Sequence, residues 1–142
     1  MKPLDFVKAV GVAVLVFAVD MAAAFLAVFA YAQLIEPGRS REFYNGAALN
    51  IAPWSSHVVG PLIFLAAAYF FARRRPERDP RVFTAAFCVA YAILSMSVAL
   101  SLETLEAAWR EGTFLSMGVK FVGAAIGAAL ATRRIARAGS VA

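Results

Sequence analysis

The sequence predicts an all-α membrane protein, an up-down bundle of four transmembrane helices with a kinked second helix and both termini on the inner side. Three observations support this fold class. The 142 residues are 62% hydrophobic and only 16% charged, and their mean hydropathy is +0.73, a composition atypical of water-soluble domains. The apolar residues form four long stretches. The basic residues cluster where these stretches end, as membrane topology requires. We therefore expect a single membrane domain over residues 1–142.

The first span is predicted over residues 6–34, where Lys8 and Asp20 are the only charged residues. A bilayer core about 30 Å thick needs roughly 20 helical residues, so this stretch is long enough to cross. It should end at Glu36-Pro37-Gly38, because proline cannot continue a helix and glycine favours a turn. An outer loop is expected up to about Ala52, with a short interfacial helical turn capped by Ser40.

The second span is predicted over residues 53–72, with Pro53 in its first turn, where the missing N–H does no harm. The third is predicted over residues 81–102, with Asp79 as the N-cap. That helix is expected to continue through Glu106 and Arg110 and to stop at Gly112. The fourth span covers residues 114–131 and precedes a basic tail.

The Lys and Arg residues predict the orientation. Ten of them lie in the N-terminal segment, the loop between the second and third spans and the C-terminal tail, whereas the other two loops contain only Arg39, Arg41 and Arg110. The positive-inside rule therefore places both termini in the cytoplasm. We expect the membrane to be the bacterial cytoplasmic (inner) membrane.

Asp20 stands at the centre of the first span, where an aspartate costs about 2.5–3.5 kcal/mol on insertion scales. It should therefore face protein or water and find a partner. Lys120, in the fourth span, is the obvious cation, and small residues flank both charges on their own helix faces. If the first and fourth helices are neighbours in the bundle, the two residues form an intramembrane charge pair. The alternative is a protonatable carboxylate on a transport path.

The second span contains Pro61, which cannot donate a hydrogen bond to the carbonyl of His57, so a kink is expected there. Freed backbone carbonyls at membrane depth need protein or water as partners. The sequence thus predicts a cavity in the outer half of the bundle, at the Pro61 kink, lined by His57, Lys120, Glu103 and Tyr31. The competing interpretation is an interfacial histidine bonded to water.

Small residues predict where helices touch. Ser116, Lys120, Gly123 and Gly127 lie on one face of the fourth helix, which favours close packing inside the monomer, with dimerisation as the alternative. On the third helix, Thr84, Cys88, Tyr91 and Ser95 form a polar stripe suited to interhelical hydrogen bonds.

The sequence predicts no catalytic residue, metal site or cofactor, and nucleic acid is excluded as a partner because the basic residues flank the spans. The expected partners are the lipid bilayer and another membrane subunit or a second copy of the chain. The first functional hypothesis is an accessory or assembly subunit that docks to other membrane helices. The alternative is a small proton-coupled solute carrier that uses Asp20 and Lys120, and a membrane enzyme ranks third.

Overall fold

The structure is a computed structural model that describes residues 3–74, 79–102 and 112–139. It contains α1 (Pro3–Ala30), which continues into a π-helical turn (Tyr31–Ile35), then α2 (Arg41–Arg73), α3 (Pro80–Leu102) and α4 (Thr113–Gly139). Each of the four helices is long and apolar enough to cross a membrane. The predicted all-α up-down bundle is confirmed. The predicted extension of α3 through Glu103, Glu106 and Arg110 lies outside the described residues.

The connection between α1 and α2 is shorter than expected. Gly38 adopts a positive φ of 77°, the Ser40 hydroxyl accepts a hydrogen bond from the backbone N–H of Phe43 at 3.3 Å, and the Tyr44 hydroxyl donates to the Glu36 carbonyl at 2.6 Å. The Ser40 cap therefore starts a continuous helix at Arg41 rather than a brief turn in a loop.

Both Pro53 and Pro61 consequently lie inside α2, and Pro53 is not in its first turn. A proline inside a helix removes a single backbone hydrogen bond, and the flanking turns of α2 continue on either side. At the other end of α2, the chain re-enters helix at α3, where the Asp79 carboxylate accepts from the backbone N–H of Arg81 at 2.8 Å, as an N-cap does.

The order of helices around the bundle differs from the expectation. In the described residues α1 packs against α2 and α3, and α4 packs against the same two helices, most extensively against α2. The first and fourth helices are therefore diagonal rather than adjacent, which corrects the sequence prediction. Going round the bundle, the order is α1, α2, α4, α3.

Two glycines explain the close approach of α4 to α2. A Cβ atom on Gly123 would overlap the Pro61 carbonyl and lie 3.0 Å from the Pro61 Cα, and a Cβ on Gly127 would lie 3.0 Å from the Ala68 Cβ. Because these contacts are with backbone or with a short side chain, they leave no room for a larger residue. Small residues at α4 thus favour α2 as its main neighbour.

The interior is aromatic. Phe64 packs edge to face against Tyr91 at a centroid distance of 4.7 Å and tilts against Phe87 at 5.7 Å, while α1 contributes small residues such as Ala9 and Ala13. The outward faces carry many exposed large apolar side chains, as expected of helices that meet lipid. We call the end of the bundle near residues 3, 74, 79 and 139 the terminal end, and the opposite end the distal end.

Candidate functional site: a buried charge pair beneath a cavity

Asp20 and Lys120 meet in the middle of the bundle. The Lys120 ammonium donates to Oδ2 of Asp20 at 2.6 Å and to the Tyr91 hydroxyl at 2.9 Å. Tyr91 in turn donates its own proton to Oδ2 of Asp20 at 3.1 Å. The three side chains form a closed ring of hydrogen bonds, which we call the charge triad. They come from α1, α3 and α4.

The charge triad is almost fully withdrawn from the surface, since Asp20, Tyr91 and Lys120 expose 2%, 1% and 4% of their area. Although α1 and α4 are diagonal, a lysine side chain is long enough to span the interior. Its path crosses Gly60 of α2, where an added Cβ would lie only 2.5 Å from Cε of Lys120. Gly60 therefore provides the groove in which the lysine side chain lies.

Two serines extend the triad toward the distal end. The Ser56 hydroxyl lies 3.4 Å from Oδ2 of Asp20 as a donor and 3.3 Å from the Ser116 hydroxyl. The hydrogen bonds that Lys120, Tyr91 and Ser56 donate to Asp20 all end on Oδ2. Oδ1 of Asp20 is buried and has no hydrogen-bond partner among the described residues, a situation that typically costs about 1–3 kcal/mol for a buried polar atom.

A cavity of about 280 Å³ lies on the distal side of the triad, with all four helices contributing to its walls. Its wall combines polar side chains of serine, threonine and histidine with apolar ones. The lining residues are Phe17, Asp20, Met21, Pro53, Ser56, His57, Tyr91, Ser95, Val98, Ala99, Gly112, Thr113, Ser116, Met117 and Lys120. Given their small exposed areas, the three triad residues form the floor.

His57 lies at the wall of this cavity in a fixed orientation. Its Nδ1 is 2.6 Å from the Pro53 carbonyl, and because a carbonyl only accepts, Nδ1 must carry a proton. In the neutral ring Nε2 is then an acceptor. Nε2 lies beside Gly112, where an added Cβ would be 3.9 Å from it.

The cavity contains only part of the set that the sequence predicted. His57 lines it, but Pro61 and Tyr31 are not among the lining residues, because Pro61 faces Gly123 and Tyr31 belongs to the π-helical turn. Glu103 lies outside the described residues. Of the predicted packing residues, Gly123 and Gly127 contact α2, and Ser116 lines the cavity.

Sequence reasoning missed three residues of the site, Ser56 and Gly60 on α2 and Tyr91 on α3, as partners of the charge pair. Tyr91 was predicted only as one member of a polar stripe, and its place in that stripe is the signal that could have found it. Neither Ser56 nor Gly60 can be identified from the sequence as a site residue, because serine and glycine are common in membrane helices.

Comparisons with protein families, with curated proteins and with solved structures found no match to this chain. The chemistry of the site must therefore be inferred from its geometry. The cavity is lined by Asp20, whose buried Oδ1 has no hydrogen-bond partner among the described residues, and by several hydroxyl groups. Such a site can hold a small molecule that donates and accepts hydrogen bonds.

Proposed function

We propose that this four-span membrane protein is a small proton-coupled carrier that binds a small polar solute in the cavity above Asp20. One observation carries the proposal. Oδ1 of Asp20 is a buried carboxylate oxygen without a hydrogen-bond partner among the described residues, and Asp20 lines the cavity. Buried polar groups are nearly always hydrogen-bonded, and a bound solute or water would supply the missing donor.

The size of the cavity limits the solute class. A volume of about 280 Å³ holds several water molecules at roughly 30 Å³ each and falls at the lower end of small-molecule pockets. The solute is therefore small. It needs a donor for Oδ1 of Asp20, and an acceptor group would suit the Lys120 ammonium, which donates two of its three protons within the described residues. Amines, amides and small zwitterions meet these requirements.

The charge triad supports a proton-transfer step. When the Asp20 carboxylate takes a proton from water in the cavity, it loses its charge, and Lys120 keeps the Tyr91 hydroxyl as an acceptor. The ammonium is then free to bind an acceptor group of the solute. When Asp20 returns the same proton to water on the other side, the ion pair reforms and displaces the solute. Proton and solute movement are thereby coupled.

Transport also requires α2 to move, because Phe64 of α2 packs edge to face against Tyr91 and also contacts Phe87 of α3. Pro61 supports such movement, since the helical hydrogen bond to the His57 carbonyl cannot form. Helices bend preferentially at such positions. A bend there would change the distance between Ser56, on the distal side of Pro61, and Asp20.

The other functional hypothesis, an accessory or assembly subunit, remains a prediction. One of its supports was the small-residue stripe of α4, but Gly123 and Gly127 are packed against α2 of the same chain. The stripe is thus not free to dock another helix. Co-purification in mild detergent would test this alternative, because it requires a stoichiometric partner.

Proton flux in proteoliposomes tests the carrier proposal. Vesicles that contain the protein and a trapped pH-sensitive dye are mixed with glycine, methylammonium or acetamide under an imposed pH gradient. We expect at least one of these solutes to cause proton flux that Asp20→Asn abolishes. Glu36→Gln, which neutralises an exposed acid in the α1–α2 connection that pairs with Arg39, is the control and should leave the flux unchanged. Solute-independent flux, or flux that persists in Asp20→Asn, would contradict the proposal.

A further inference from the structure

A second hollow lies at the terminal end of the bundle, away from the charge triad. It has a volume of about 430 Å³ and is formed by one face of α1, the end of α2 and the first turn of α3. We call it the terminal groove, and it is lined by Lys8, Gly11, Val12, Leu15, Phe71, Arg74 and Phe83. None of these residues contributes to the cavity above Asp20.

The terminal groove has a gradient of polarity along the bundle axis. Lys8 lies near the start of α1, and Arg74 directly follows the end of α2, so both cations are close to the terminal end. Moving toward the middle of the bundle, Val12 and Leu15 follow Lys8 on the same face of α1, and Phe71 precedes Arg74. The charged rim and apolar interior match the order of groups in a phospholipid.

Open space in the groove is marked by Gly11. A Cβ atom added there would meet no atom within 4 Å, so no other part of the described chain covers this exposed glycine. On the wall, the Arg74 guanidinium lies over the Phe71 ring at 5.7 Å from its centroid. This contact positions the cation at the boundary between the charged and apolar parts.

We propose that the terminal groove binds one anionic phospholipid, with its phosphate between Lys8 and Arg74 and one acyl chain along Leu15 and Phe71. Basic pockets between transmembrane helices bind anionic headgroups, and the guanidinium group suits phosphate oxygens geometrically. Asp5, the preceding acid on α1, does not line the groove. The apolar wall distinguishes a lipid from free phosphate, which has nothing to place there. This proposal is independent of the carrier function.

Native mass spectrometry of the full-length protein in mild detergent can test this site. The probes are phosphatidylglycerol and phosphatidylcholine with identical acyl chains. We expect one phosphatidylglycerol to bind in preference to phosphatidylcholine. Each neutralised cation, in Lys8→Gln and Arg74→Gln, should weaken binding about fivefold, and the double variant about 30-fold, from the strength of a single cation near an anionic headgroup.

Two further variants keep the test decisive. Gly11→Leu places a side chain in the open groove without a predicted clash at Cβ and should reduce binding of both lipids while the protein stays folded. Arg133→Gln removes an exposed cation from the same end of the bundle but outside the groove, and should change nothing. If Arg133→Gln weakens binding as much as Arg74→Gln, the attraction is unspecific surface charge. Equal binding of the two lipids, or displacement of phosphatidylglycerol by inorganic phosphate, would also overturn the proposal.

Discussion

Replacing Lys120 with methionine tests whether the charge triad behaves as one unit. In Lys120→Met the Asp20 carboxylate stays buried at 2% exposure and keeps only hydroxyl donors, Tyr91 at 3.1 Å and Ser56 at 3.4 Å. Breaking a buried ion pair typically costs about 3–5 kcal/mol, and hydrogen bonds to a charged group are worth about 1.5–3 kcal/mol. Because Tyr91 retains part of the stabilisation, we expect a loss of about 3 kcal/mol.

The double variant Asp20→Asn with Lys120→Met should be more stable than Lys120→Met, because no buried charge is then left without a partner.

The single cysteine provides the assay. Cys88 is buried at 8% exposure, so a thiol-reactive fluorophore reacts with it only when the bundle unfolds. Unfolding is induced by heating or by increasing concentrations of a denaturing detergent. Arg133→Met, which removes an exposed cation, is the matched control and should unfold like the parent. A double variant that is no more stable than either single variant would refute the coupling of Asp20 and Lys120.

The remaining predictions concern packing, access and orientation. Gly123→Ala should destabilise the bundle by about 1–3 kcal/mol, because its Cβ meets the rigid backbone of Pro61. Gly118→Ala on the same helix meets no atom within 4 Å and should be neutral or up to about 1 kcal/mol more stable, measured by the same thiol assay. Gly60→Ala should displace the lysine side chain of the triad and abolish solute-dependent proton flux even where the protein folds. Ser95→Cys, in a cysteine-free background, should react with a small water-soluble thiol reagent, and bound solute should slow that reaction. If the folded protein does not react, the cavity is closed to water. A reporter that is active only outside the cell should stay inactive when fused to the C-terminus, and activity there would reverse the predicted orientation.

The local features of the fold could be predicted because each has a short-range cause. Apolar length predicts the four spans, and the side-chain oxygen of Asp79 predicts where α3 begins. The same local reasoning fails for the start of α2, because the sequence predicts it at Pro53 and the Ser40 cap places it at Arg41. A proline is compatible with a first turn and with a helix interior that tolerates one missing hydrogen bond, and only the Ser40 cap decides between them.

The arrangement of helices could not be predicted from loop lengths. Short connections favour sequential neighbours, but the glycines of α4 pack closely against α2, and this contact places α1 diagonal to α4. The sequence flagged Asp20 and Lys120 because charges are costly at the bilayer centre. Tyr91, Ser56 and Gly60 join them only through packing across helices, which no spacing within one helix reveals. His57 lines the cavity and Tyr31 does not, a difference that also depends on packing across helices.

Infrared difference spectroscopy measures directly whether Asp20 exchanges a proton at the floor of the cavity. Spectra of the purified protein are recorded from acidic to alkaline pH, with and without the solute identified by flux, for the parent, Asp20→Asn and Glu36→Gln. We expect a protonated-carboxyl band that changes with pH and with solute, disappears in Asp20→Asn and persists in Glu36→Gln. A carboxyl region that is the same in the parent and in Asp20→Asn at every pH would contradict this expectation.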